Sequence, residues 1–176
     1  MDEKPKIGIS SCLLGNKVRY DGRHKYDAWL VETLGKYVTY VPVCPEVECG
    51  LSVPRDPMRL VGEVESPRLL TIKDRTDHTP RMLEFCVRKL SELADAELCG
   101  FIFKSKSPSC GTGRVIVHPD KNGSGGKEGM GIFAREFIKT FPLLPVEEES
   151  RLQDPALLEN LIERVYIIQR RNKPRR

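Results

Sequence analysis

Long hydrophobic runs, closely paired cysteines, rows of aromatics and a glycine-rich nucleotide loop are all missing from this sequence. No apolar run approaches the ~20 residues that a membrane-spanning helix needs, so no membrane association is expected. The charged opening, residues 1–6, leads directly into a strand-like run without the apolar stretch of a secretory signal; a cytoplasmic location is expected. Aromatics make up 7% of the residues, too few for the stacking platforms of single-strand nucleic-acid binders. No G-x-G-x-x-G follows the first predicted strand, which excludes a dinucleotide-binding fingerprint. No C-x2-C pair, the close spacing that zinc sites favour, occurs anywhere.

What the 176 residues do have is the balance of a folded domain: 39% hydrophobic, 31% charged, net charge +4. Part of the positive charge gathers at Arg170, Arg171, Lys173, Arg175 and Arg176, which reads as a solvated chain end. A weak contact with phosphates is the alternative, and nucleic acid is not the favoured partner. Six cysteines are many for such a chain. In a reducing compartment they point to free thiols, metal ligands or catalysts rather than to disulfides.

The hydrophobic pattern predicts strands at residues 6–11, 37–43, 59–66, 69–73, 100–104 and 114–118, and an extended stretch at 143–146. Helices are predicted over 25–34, 79–96, 131–140 and 155 to about 170. Thr79 is the expected cap of the second, with Pro80 at its first position and a stripe of Met82, Leu83, Cys86, Val87, Leu90, Leu93 and Ala94. Asp154 and Pro155 open the last in the same way. Trp29, Leu30 and Leu34 are expected on one side of the first. Residues 44–59, with four punctuating Pro and Gly, read as a long loop, and the Gly-rich stretch 122–131 as a mobile one. This alternation predicts an α/β fold: one three-layer, Rossmann-like domain over residues 1–176 with a mostly parallel sheet.

Within that order the cysteines acquire meaning. Cys12 and Cys44 each follow a predicted strand, and Cys110 lies in the loop after another. In a parallel sheet these strands end at one edge, where open α/β folds bind ligands. Three thiols far apart in the chain can therefore converge. Thiolates are soft ligands suited to iron–sulfur clusters, zinc or Cu(I). Gly15, Gly22, Gly111 and Gly113 flank Cys12 and Cys110 and let backbone amides approach a cluster. Cys86 and Cys99 fall in apolar positions and read as core. Cys49 makes C-x4-C with Cys44 but sits among polar loop residues and reads as a non-ligand. Two other readings remain at this point: a three-cysteine zinc protein, hydrolytic or non-catalytic, and a redox module in which Cys44 and Cys49 form a reversible disulfide.

Residues 10–22 (SSCLLGNKVRYDG), 42–50 (PVCPEVECG), 51–57 (LSVPRDP) and 103–111 (FKSKSPSCG), with the tail at 142–149 (PLLPVEEE) and 152–164, resemble the bacterial family known as domain of unknown function 523, which includes the thiouracil desulfidases. The resemblance spans nearly the whole chain. It implies a [4Fe–4S] cluster held by Cys12, Cys44 and Cys110. A fourth iron without a protein ligand would take the sulfur of a thiolated base, which leaves by non-redox exchange of C=S for C=O. Some relatives carry a further C-terminal domain and act on thiolated transfer RNA. The sequence given ends without one, so a small nucleobase, nucleoside or nucleotide is the expected substrate.

Such chemistry needs a base near the open iron. Glu46, two residues after Cys44, reaches the same edge. Ser105, Ser107 and Ser109 precede Cys110 and are expected to donate to the base or to cluster sulfurs, and at least one of them to cap a turn. Ser105, Arg19 and Asp21 are expected to bind or orient the substrate, and Arg19 and Asp21 read equally as a structural ion pair. Lys104, or less so Lys106, would offset the cluster's charge or hold a substrate phosphate. Arg55 reads equally as substrate ligand and as ion-pair partner, His78 and His118 as surface residues; the role of His24 and the oligomeric state stay open.

Overall fold

The computed structural model describes residues 3–121 and 125–173. In chain order the elements are β1 (Lys6–Ser10), a 3-10 turn (Ser11–Leu14), α1 (Ala28–Leu34), β2 (Thr39–Val43), α2 (Pro45–Glu48), β3 (Met58–Gly62), β4 (Pro67–Thr71), α3 (Thr79–Asp95), β5 (Phe101–Phe103), β6 (Val115–His118), β7 (Lys127–Gly129), α4 (Ile132–Thr140), β8 (Val146–Glu148) and α5 (Pro155–Asn172).

Strands β2, β1, β5 and β8 form one sheet in that order, every pair parallel. The central strands are apolar on both faces, as a sheet covered on both sides requires. Ile7 and Ile9 face Leu30 and Leu34 of α1 and Leu161 and Val165 of α5. Phe101 and Phe103 face the other way, onto α3 and α4, where they stack with each other at 4.1 Å and meet Phe133 and Phe137 edge-on. Gly8 makes this possible: a side chain there would collide with the Phe101 ring at 2.2 Å. Losing one of these phenylalanines to alanine is worth about 3–5 kcal/mol. The α/β expectation, with a parallel sheet between helices, is borne out.

A second sheet, β4-β3-β6-β7, is mixed. The β3–β4 and β6–β7 pairs are antiparallel and β3–β6 parallel. Leu60, Leu69, Val115 and Val117 bury one face of it in the same cluster as Met82, Phe85 and Phe133. The sequence reading does not anticipate this sheet, because a half-buried strand has the same local pattern whichever sheet it joins.

Several boundaries differ from expectation. Residues 44–59 contain α2, started by Pro45 in the first turn. Asp27 caps α1 through Leu30 N–H, so that helix begins at Ala28, and Trp29 points outward. Thr79 lies inside α3, and its hydroxyl accepts the Leu69 N–H at 2.8 Å instead of capping. In α3 the buried face is Met82, Phe85, Cys86, Leu90 and Leu93, whereas Leu83 and Val87 are exposed. The last strand starts at Val146, later than the 143–146 stretch. Asp154 caps α5 as expected, accepting the Ala156 N–H at 2.9 Å. The Gly-rich stretch includes β7; its residues 122–124, like Arg175 and Arg176, lie outside the described residues. Among the described residues no helix is long and apolar enough to cross a membrane.

Candidate active site

β1 is hydrogen-bonded to β2 on one side and β5 on the other, and all three run the same way. Their carboxyl ends therefore open on one edge. Cys12 follows β1 in the 3-10 turn, Cys44 follows β2 directly, and Cys110 lies in the loop after β5. All three line one half-open cavity of about 360 Å³, together with Arg19, Glu46, Lys104, Ser105, Ser107 and Ser109. The convergence expected from the sequence is present.

Each cysteine is held by its backbone. The Cys12 carbonyl accepts the Lys25 N–H at 2.9 Å and the Gly15 N–H at 3.3 Å. Cys44 donates its N–H to Glu48 Oε2 at 2.8 Å. The Cys110 N–H donates to Ser107 Oγ at 3.1 Å, and the Gly111 N–H to the Ser107 carbonyl at 2.8 Å. Ser107 is thus the turn-capping serine. The opening of α4 locks this loop from behind. Ile132 N–H donates to Pro108 O at 3.1 Å, Ala134 N–H to Ser109 O at 3.1 Å and Gly131 N–H to Gly111 O at 2.7 Å. The free amides of a helix N-terminus find their acceptors here. Only glycine fits at 131, since a Cβ would stand 2.6 Å from the Ser109 carbonyl carbon.

Two glutamates at the end of β8 clamp the same loop at both sides. Glu149 pairs with Lys104 Nζ, accepts the Ser105 N–H at 2.7 Å and accepts the Ser105 hydroxyl at 2.9 Å. Glu148 Oε1 accepts the Thr112 N–H at 2.8 Å and its hydroxyl at 3.0 Å. Lys104 N–H in turn donates to Ser10 Oγ at 2.8 Å, tying β5 to the end of β1.

Burial dominates the electrostatics of the thiols. It pushes Cys44 up to about 11 and Cys12 and Cys110 upward as well, and the neighbouring thiols push Cys44 and Cys110 further. Lys104 and Arg19 oppose this at Cys12. Three clustered, desolvated thiols gain little as free acids and much as thiolates on a cation. Among the described residues no three Cys, His, Asp or Glu side chains crowd closely enough for one metal ion. Thiolates sharing one zinc stand only ~3.8 Å apart, whereas cluster thiolates each bind a different iron. Three cysteines lining one cavity are an all-sulfur donor set, the kind that suits an iron–sulfur cluster.

Beside Cys110, the Ser109 hydroxyl lies 3.8 Å from Cys110 Sγ and donates to Glu46 Oε1 at 3.2 Å. Arg55 takes the other carboxylate oxygen, Oε2, with Nε at 2.8 Å and Nη2 at 2.7 Å, and also donates to the Val18 carbonyl at 2.8 Å. Arg55 and Glu46 are only 8% and 13% exposed, so the pair is desolvated.

The family model for 2-thiouracil desulfurase matches residues 7–149. The chain belongs to the 2-thiouracil desulfurase family. Among solved structures it is similar to TudS, a [4Fe–4S]-dependent thiouracil desulfidase, at 31% identity and a TM-score of 0.68, over 90% of this chain and 99% of that one. YbbK of Bacillus subtilis (strain 168), an uncharacterized protein, is 29% identical over 114 residues, 62% of this chain and 75% of YbbK.

Set on this desulfurase frame, the expected residues separate. Cys12, Cys44, Cys110, Glu46, Ser107, Ser109, Ser105, Lys104, Lys106 and Arg19 share the cavity. Asp21 is not on its wall. It accepts the Arg23 N–H at 3.0 Å and stands 3.8 Å from Arg19 Nε, behind the arginine. Cys49 is off the wall too, its sulfur 3.2 Å from the Glu46 carbonyl. Cys86 and Cys99 are core residues. His24 Nδ1 accepts the Tyr26 N–H at 3.1 Å, a local turn contact. The sequence reading assigns no role to Glu48, Glu148 or Glu149. The available signal was a pair of acidic residues, Glu148 and Glu149, at the end of β8, and a glutamate four residues after Cys44.

Proposed function

We propose that this chain, over residues 1–176, is a desulfidase for a small thiolated base of the uracil type, free or as nucleoside or nucleotide. In this reading Cys12, Cys44 and Cys110 hold a [4Fe–4S] cluster through three thiolates. The carrying observation is the meeting of three thiols from three adjacent parallel strands at one cavity that also holds Glu46 and Ser109. When bound, such a cluster supplies an iron with no protein ligand, to which a base's sulfur can bind so that its ring carbon is polarised.

The overall change is balanced without redox: C=S and water become C=O and hydrogen sulfide. Glu46 takes the proton of the attacking water at Oε1, beside the Ser109 hydroxyl, which passes it toward the departing sulfur. Arg55 fixes Glu46 from the opposite side of the carboxylate and keeps Oε1 directed at Ser109. Ser107 holds the Cys110 amide and shares a hydrogen bond of 3.1 Å with Ser109. Lys104, aligned by Glu149, places positive charge near Cys12, and with Ser105 it forms the wall that receives the base. Arg19 orients the base or its phosphate, with Asp21 steadying the guanidinium from outside. The favoured partner is a small molecule rather than nucleic acid, no membrane is involved, and the location is cytoplasmic.

The test is sulfide release from 2-thiouracil, 4-thiouracil and their nucleotides by anaerobically loaded protein. Stoichiometric uracil-type product and sulfide, without added reductant, is the expected result. A loaded protein inert toward all of them would overturn the reading.

A further inference from the structure

Cys44 is the least enclosed of the three site cysteines: Cys12 and Cys110 are buried, Cys44 half-buried. Its backbone support comes from outside the cavity. The Cys44 N–H donates to Glu48 Oε2 at 2.8 Å, and Glu48 Oε1 receives Lys89 Nζ of α3, also at 2.8 Å. Glu48 thus bridges a backbone amide and a cation with its two oxygens. Lys89 is only 16% exposed and has Glu92 as a second partner at 3.3 Å. Two more cations of α3 grip the same segment through its carbonyls. Arg88 Nη2 donates to Glu48 O at 3.4 Å and Arg81 Nη1 to Gly50 O at 3.2 Å. None of Glu48, Arg81, Arg88 and Lys89 lines the cavity.

The amide of a cluster-binding cysteine is a natural donor to a sulfur, and such bonds tune a cluster. In this chain Glu48 occupies that amide. A four-residue helix such as α2 has almost no stability of its own, so its direction depends on what holds it.

We propose that Lys89 and Glu48 are positioning residues for Cys44: α3 fixes Glu48, Glu48 fixes the Cys44 backbone, and the thiolate direction follows. The inference rests on the cluster reading for its consequence, not for its geometry. A well-held Cys44 closes the exposed side of the three-thiolate set and slows the loss of iron.

The test compares Glu48→Ala, Lys89→Met, Lys89→Arg and, as control, Glu92→Gln. The first readout is hydrogen exchange of the Cys44 amide in the metal-free protein, followed by nitrogen-15 NMR. Loss of a charge-assisted acceptor is expected to speed that exchange about tenfold in E48A and by less in K89M, with wild-type behaviour in K89R and E92Q. The second is the rate at which anaerobically loaded protein gives up iron to a chelator, expected several-fold faster in E48A and K89M. An unchanged Cys44 amide in E48A overturns the proposal. So does an E92Q effect equal to that of K89M, which would reduce the role to general stability of α3. Loaded wild type and E48A losing iron at equal rates overturns it while leaving the cluster reading intact. A wild type that takes up no cluster defeats that reading, and with it the consequence for iron retention, whereas the amide exchange still reports the anchor.

Discussion

Arg55 places two nitrogens on a single oxygen of Glu46, Oε2, and leaves Oε1 to the Ser109 hydroxyl 3.2 Å away. One carboxylate thereby joins the loop after β2 to the loop after β5, and both loops carry a site cysteine.

Removing the arginine should cost more than a surface pair would. Arg55→Ala leaves a largely buried carboxylate without its cation, a loss of about 3–5 kcal/mol. Arg55→Lys should recover only part of it, because one ammonium cannot reach Glu46 and the Val18 carbonyl in the same fork. Urea unfolding of the metal-free variants checks this; equal stability of R55A and wild type would contradict it.

Glu46→Gln preserves shape but not basicity. Loaded E46Q should keep its visible absorption and lose about 10²–10⁴-fold in kcat for thiouracil. Ser109→Ala, which removes the relay but not the base, should lose less. Steady-state sulfide release normalised to iron content separates lost chemistry from lost cofactor.

Glu149→Ala strips Lys104 and Ser105 of their shared acceptor. Stability should fall by about 1–3 kcal/mol, since a half-buried lysine loses its carboxylate and keeps only Ser105 as partner. Adding Lys104→Met should restore part of the loss, and a double-mutant cycle gives the coupling directly. Additive effects would show that the two side chains do not act as a pair.

The thiols set a pH signature. Burial raises all three above the ordinary cysteine value, Cys44 to about 11, so the metal-free protein holds these protons throughout neutral pH. Thiolate ligation must release them, so loading weakens as pH falls, about tenfold per pH unit for each proton displaced. Above about pH 8.5, the midpoint of an ordinary thiol, the slope should persist. Proton release on anaerobic reconstitution, measured from pH 7 to 9.5, tests this; a slope that flattens at 8.5 would contradict it.

The convergence of cysteines was readable because each follows a strand, and parallel strands that neighbour one another must end together. Cys86 and Cys99 were readable as core for the same reason that any apolar position is. Other features depend on partners that no local pattern names. Thr79 has the look of a cap, yet its hydroxyl is taken by Leu69 on a strand that precedes it. Leu83 and Val87 sit at helical spacing, but the facing α4 meets α3 through Phe85 instead. Glu48 and Glu149 accept backbone amides, and that requires knowing which loops lie beside them. Asp21 shares a loop with Arg19, and sequence proximity alone does not tell a cavity wall from the layer behind it.

The most direct measurement is iron and acid-labile sulfide per chain after anaerobic reconstitution, for the wild type and for Cys12→Ala, Cys44→Ala, Cys110→Ala and Cys49→Ala. About four of each are expected in the wild type and in C49A, with loss of the cluster in the other three variants. One zinc without sulfide in the wild type, or a cluster that depends on Cys49, would contradict the three-thiolate reading.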